Sequence, residues 1–148
     1  MSVPSSDSLT LHATCVAVQG RAVIIRGPSG SGKSALALQM IALGAELIAD
    51  DRTSVSCEDG AIIVDAPHTI RGQIEARGIG ILNVPAAGPA RAVLIVDLPP
   101  QDAELDTPRL PPEETEDLLG VSLPRVRGFA AGHLPAALGV YLRHGRNA

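Results

Sequence analysis

The chain has 148 residues, a formal charge of −4 and an apolar fraction of 45%. That length suits one domain with a self-sufficient core. The acidic balance argues against a nucleic-acid surface, which would need clustered positive charge, and no run reaches the about 18 apolar residues of a membrane span. Two cysteines, Cys15 and Cys57, are too few for a disulfide framework. The N-terminus has no basic segment followed by an apolar run. A cytoplasmic protein that binds neither nucleic acid nor membrane is therefore expected.

With one Phe, one Tyr and no Trp, the core must be aliphatic. Residues 1–8 read as a loose polar end. Residues 9–18 alternate and read as a strand, Gln19-Gly20 as a tight connection, and residues 21–26 as a second strand buried on both faces. Residues 33–43 are rich in helix formers, with Gly44 as the stop. Residues 46–50 return as a strand, giving a β–loop–α–β unit of the parallel α/β kind. Residues 53–57 and 61–65 flank Glu58-Asp59-Gly60 and read as a hairpin. Residues 66–77 read as an ordered loop or short helix, residues 78–84 as extended, and residues 91–98 as a buried strand. Five prolines between 99 and 112 suggest a linker or lid. Residues 113–119 are acidic and compatible with a helix. Residues 133–146 read as a terminal helix weakened by Pro135 and Gly139. No internal repeat or boundary divides the chain, so residues 1–148 form one expected domain.

The chemistry begins at Gly27, Pro28, Ser29, Gly30, Ser31, Gly32, Lys33 and Ser34, which satisfy G-x-x-x-x-G-K-[ST]. Glycines let the backbone curl its N–H groups toward phosphate oxygens, and the helix that follows adds the positive end of its dipole. Lys33 is expected at the β- and γ-phosphates and Ser34 on magnesium, so ATP with Mg²⁺ is the expected ligand pair. Lys33 is the chain's single lysine, against eleven arginines. It stands where a compact point charge serves phosphate best. Two places offer a further carboxylate. Asp50-Asp51 ends a strand, and alternation sends the two side chains in different directions, one for metal and one for a proton. Asp97 ends VLIVD but reads better as a strand-end carboxylate before Pro99-Pro100. His12, in the strand before the loop, could orient Asp50.

These residues resemble the catalytic domain of the HPr kinase/phosphorylase family. The likeness rests on His12 in LHATCV, the loop GPSGSGKS, the pair in LIADDR, and Glu75-Ala-Arg77-Gly-Ile-Gly-Ile-Leu-Asn, together spanning about residues 11–84. The resemblance implies a P-loop nucleotide-binding domain with a mixed sheet and flanking helices, like the nucleotide-binding core of phosphoenolpyruvate carboxykinases. It implies phosphorylation of a serine on an HPr-like phosphocarrier, and the reverse attack of inorganic phosphate on phosphoserine to give pyrophosphate. By resemblance Asp50 is the base, assisted by His12. Ser29, Lys33 and Ser34 bind phosphates. Ser34 and Asp51 hold Mg²⁺ (or Mn²⁺), Arg77 supports catalysis, and Glu75 supports the site and the metal. A homohexamer is implied as well.

Two departures qualify the likeness. Almost nothing precedes His12, as in a short form, and the family's Pro-x-Arg-Pro-Gly-Arg-Asn-like loop is altered, with Arg125 or Arg127 as stand-ins. Other classes remain in view. A small-metabolite kinase needs a lid arginine, and residues 99–112 offer only Arg109. A GTP switch needs Asn-Lys-x-Asp, which a chain whose single lysine is Lys33 lacks. A non-catalytic nucleotide-dependent module would not need Asp50.

Overall fold

Three two-residue turns with glycine second set the strand pairing. Gln19-Gly20, Asp59-Gly60 and Leu119-Gly120 all have positive φ at both residues (54° and 77°, 52° and 76°, 50° and 83°). This is the turn whose twist matches that of paired strands. A computed structural model describes residues 8–101, 107–129 and 132–147. In chain order its elements are β1 (Ser8–Leu11), β2 (Thr14–Val18), β3 (Arg21–Arg26), α1 (Lys33–Ala42), β4 (Glu46–Ala49), β5 (Thr53–Glu58) and β6 (Ala61–Asp65). A 3₁₀ turn at His68–Ile70 leads to β7 (Gln73–Ala76), β8 (Gly80–Asn83), β9 (Ala90–Asp97), β10 (Glu114–Leu118), β11 (Val121–Arg127) and α2 (Leu134–His144). Of the expected loose end at residues 1–8, Ser8 opens β1, and the rest, with part of the proline-rich segment, lies outside the described residues.

The main sheet runs β1-β5-β6-β9-β3-β2-β4, with the β10–β11 hairpin joined to the far end of β9 through β11. β3, β9 and β11 are mutually parallel, and β2 lies antiparallel between β3 and β4. The expected β–loop–α–β unit is thus opened by an inserted strand. Its two strands still point the same way, so the loop after β3 and the aspartates after β4 reach the same edge of the sheet.

β2, β3 and β9 are buried on both faces, which explains their unbroken apolar runs. One face packs Cys15, Ala22, Ile24 and Ile95 against the curled half of the sheet. The other packs Val23, Ile25, Leu94 and Val96 against Leu36 and Met40 of α1 and Leu138 and Leu142 of α2. Burial pushes the Cys15 thiol up to about 12, so that sulfur is a core group and not a nucleophile.

Three local expectations need correction. Residues 9–18 form two strands, because β1 pairs with β5 while β2 pairs with β3 and β4. The chain changes partners across His12 and Ala13, where the Ala13 carbonyl accepts the buried Thr53 Oγ1 hydroxyl at 2.8 Å. Residues 73–76, read as loop or helix, are a strand paired with β8 in a separate two-stranded sheet. The acidic stretch read as helix-compatible is β10, paired with β11. Its Glu114 and Glu116, two apart and therefore on one face, meet Arg125 and Arg26. Tertiary ion pairs override the local helical tendency there.

That network ties four strands. Arg26 donates to both Asp97 oxygens (2.7 and 2.8 Å) and to Glu116, and Arg125 donates to Asp97 and to Glu114 (2.8 Å). Burial opposes ionisation of Asp97, but the hydrogen bonds from Arg26 and Arg125 override it and hold the carboxyl below its usual range. Glu116 is likewise held low, chiefly by the hydrogen bond from Arg26. Carboxyls depressed in the folded state contribute stability above their unfolded values, about 3.9 and 4.3, and lose it as pH falls through the lower folded values. Urea unfolding should therefore show stability declining below about pH 4, where the unfolded state binds more protons. Arg26→Met should lower stability at pH 7 and flatten that acid decline; parallel pH curves for the two proteins would dismiss the network as a stabilising device.

Candidate active site

β3 ends at Arg26, and the chain turns at once under its own loop. A Cβ at Gly27 would lie 2.5 Å from Ser31 Oγ and 2.9 Å from the Leu98 carbonyl, so only glycine fits. The Ser31 N–H closes a turn onto the Pro28 carbonyl at 3.0 Å. Gly32, with φ 98°, is the N-cap of α1 and offers no side-chain cap, and the first turn of α1 carries no acidic residue. The first-turn N–H groups of α1 are thus left for an anion. Ser31 Oγ is buried without a hydrogen-bond partner among the described residues. Lys33, only 6% exposed, sets its Nζ on the Gly27 and Pro28 carbonyls at 2.9 and 3.3 Å. Pro28, Ser29 and Gly30 form the exposed rim. The curl, the uncapped helix and the confined cation make a phosphate cradle.

Asp50 lies beside it. Its Oδ1 accepts the Ser34 hydroxyl at 2.6 Å and the Thr14 hydroxyl at 3.1 Å, and its Oδ2 accepts the Glu75 N–H at 3.0 Å. Asp51 faces elsewhere. The Arg52 N–H bonds to the Asp50 carbonyl at 2.8 Å, closing a γ-turn with Asp51 at its centre and φ 68°. This conformation is rare for a residue with a side chain, and such strain gathers at functional sites. The turn presents Asp51 to His12, whose Nε2 lies 2.5 Å from Oδ1, both side chains 59% exposed.

The contacts reverse two pairings that the sequence suggested. His12 meets Asp51 rather than Asp50, and Ser34 meets Asp50 rather than Asp51. Glu75 reaches the cluster through its main-chain N–H, while its side chain is exposed. Arg77 is exposed in the β7–β8 turn, with no hydrogen bond or ion pair among the described residues. Asp97 is saturated by two guanidinium groups, in keeping with a structural strand-end carboxylate. Arg125, considered as a stand-in for a missing catalytic arginine, is committed to the same network, whereas Arg127 is 70% exposed and keeps one long contact of 3.4 Å to Glu114.

Sequence reasoning missed Thr14. It is fully buried, donates to Asp50 and accepts the Asp51 N–H at 3.0 Å, so one hydroxyl holds both aspartates. A hydroxyl two residues after His12, opening a strand with no exposed face, was the available signal.

An HPr serine kinase C-terminal domain model matches residues 5–127. The chain belongs to this family. The matched span includes His12, the phosphate loop, both aspartates, Glu75, Arg77 and the β10–β11 hairpin; α2 follows it. The HPr kinase/phosphorylase of Geobacillus thermodenitrificans is 38% identical over 130 residues, covering 82% of this chain and 42% of that protein. That of Clostridium tetani is 34% identical over 124 residues, covering 78% and 41%. The chain therefore spans about two-fifths of the length of these curated relatives. A solved structure of the Hpr(Ser) kinase/phosphatase from Coxiella burnetii superposes with a TM-score of 0.77 at 29% identity, covering 91% of this chain and 94% of that one. The mixed α/β architecture with a large curled sheet is thus that of the family.

The donor set at the cradle fits magnesium. The Ser34 hydroxyl and an Asp50 carboxylate oxygen are hard donors already 2.6 Å apart. Among the described residues no group of three or more His, Cys, Asp or Glu could hold a metal by itself. Mg²⁺ asks for less, since it takes one or two carboxylates and completes its shell with water and substrate phosphates. No helix among the described residues is long and apolar enough to cross a membrane.

Proposed function

We propose that this HPr serine kinase domain transfers the γ-phosphoryl group of ATP to a serine hydroxyl of an HPr-like phosphocarrier, in the cytoplasm. The observation that carries the reading is the division of labour between adjacent aspartates, Asp50 turned to the Ser34 hydroxyl at the cradle and Asp51 turned outward to His12.

The cradle N–H groups and Lys33 receive the β- and γ-phosphates and are already oriented before charge develops. Ser34 and Asp50 would hold Mg²⁺, which supplies charge neutralisation at those phosphates. Asp51 lies at the exposed lip, where a protein-borne serine can reach it. It accepts the serine proton as the serine oxygen bonds to phosphorus and the bond to the β-phosphate oxygen breaks, leaving ADP. His12 fixes the orientation of Asp51 through its Nε2 contact. In the opposite direction the same proton returns to the serine oxygen while inorganic phosphate takes the phosphoryl group as pyrophosphate. Thr14 keeps the two carboxylates apart in function by holding one side chain and the other's main chain.

The test mixes the protein with ATP, Mg²⁺ and HPr-like carriers and maps phosphate by mass spectrometry. Phosphoserine should form, and added inorganic phosphate should remove it with release of pyrophosphate. Lys33→Ala should abolish both nucleotide binding and transfer. If no carrier gains phosphate at any enzyme concentration while ATP still binds, the substrate assignment is wrong. A metabolite phosphorylated under the same conditions would point to the small-metabolite kinase reading.

A further inference from the structure

The chain's single phenylalanine and single tyrosine, Phe129 and Tyr141, both line one cavity of about 800 Å³ between β11, α2 and residues 107–112. In a protein whose core is otherwise aliphatic, this is a pointed placement. Neither ring is fully buried, and Phe129 lies against the His133 ring with centroids 5.2 Å apart. Leu94, Val126 and Leu138 supply apolar lining, and Arg109 and Arg127 line it as well. Arg109 has no ion-pair partner among the described residues. The volume lies within the range of small-ligand pockets, about 300–1,000 Å³.

The strand order relates this cavity to the cradle. Arg26, Asp97 and Arg127 lie side by side on three parallel strands, so Gly27 and Gly128 leave the same edge two strands apart. That is a lateral step of about 10 Å. Leu98 packs against both glycines, between the phosphate loop and the strand end that leads to Phe129. Asp50 leaves the same edge two strands away on the opposite side, beyond β2. A nucleotide lying along this edge with its γ-phosphate toward Asp50 and Asp51 points its nucleoside toward Phe129.

We propose that this cavity receives the nucleoside half of the nucleotide, with the base stacked on Phe129 and Tyr141. The inference rests on the phosphate-loop reading and deepens it, because it gives the site a means of preferring a nucleoside triphosphate over a bare polyphosphate. Aromatic faces accept any base, so the cavity favours nucleotides as a class, and stacking strength sets the order among them.

The experiment compares binding of Mg-ATP, Mg-tripolyphosphate and adenosine. With no tryptophan in the chain, intrinsic fluorescence reports on Tyr141 directly. Wild type should bind ATP at least about tenfold tighter than tripolyphosphate, equivalent to about 1.4 kcal/mol. Adenosine should quench Tyr141, and tripolyphosphate should not. Phe129→Ala should weaken ATP by about tenfold, the scale of one lost base stack, and leave tripolyphosphate within about twofold. Phe129→Leu, which keeps the apolar volume, separates lost stacking from misfolding, with thermal unfolding as the check. Equal wild-type affinity for ATP and tripolyphosphate, or equal weakening of both by the variants, overturns the nucleoside site and leaves the cradle standing. Failure of wild type to bind tripolyphosphate, or binding that Lys33→Ala does not alter, removes the cradle and this proposal with it.

Discussion

Asp51→Asn is expected to lower phosphotransfer to serine by about 10²–10⁴, the usual contribution of a positioned general base, and to leave Mg-ATP affinity unchanged. The reason is geometric. Asp51 contacts His12 and not Ser34, its side chain is 59% exposed, and its fixed position comes from its main chain. The substitution preserves shape and the γ-turn, and it removes the proton acceptor. Stability should shift by no more than about 0.5 kcal/mol, as for most surface changes. Single-turnover kinetics with saturating ATP would separate chemistry from binding. His12→Ala should reproduce part of the loss. A variant that transfers phosphate at the wild-type rate would remove Asp51 from the mechanism.

The legibility of this site followed the range of the interactions that build it. The phosphate loop is local: glycine spacing, the preceding apolar run and the following helix formers all lie within residues 21–43, and each expected element stands where the sequence put it. The Asp59-Gly60 hairpin is local too. The partition of Asp50 and Asp51 is not. Strand alternation foresaw that they would diverge, but which one turns to the cradle depends on Thr14, 36 residues upstream of Asp50, and on the Glu75 N–H, 25 residues downstream. No periodicity encodes such a contact. The same holds for β10, where composition favours helix and the deciding partners are Arg26 and Arg125. Family likeness names these residues, whereas the contacts among them are set by the tertiary fold.

Asp50→Asn should behave unlike Asp51→Asn, and the contrast is the sharpest test of the assigned roles. Asp50 is the hub of the cluster, with three donors on its two oxygens. An amide in its place offers one acceptor oxygen and turns its NH₂ toward groups that were donating. The amide oxygen can keep the Glu75 N–H while the Ser34 and Thr14 hydroxyls rotate to accept from the NH₂, which leaves the buried Thr14 hydroxyl proton without its acceptor. A cost of about 1–3 kcal/mol in folding stability follows from a donor left without a partner. The negative charge that favours Mg²⁺ beside Ser34 is lost as well, so ATP should bind with little dependence on Mg²⁺ and transfer should fall at least about 100-fold. Titration calorimetry with and without Mg²⁺, run on both variants, reads this directly. Magnesium-dependent ATP binding should persist in Asp51→Asn and vanish in Asp50→Asn. The opposite pattern would exchange the two roles, restoring Asp50 as base and Asp51 as metal ligand despite the contact between Asp50 and Ser34.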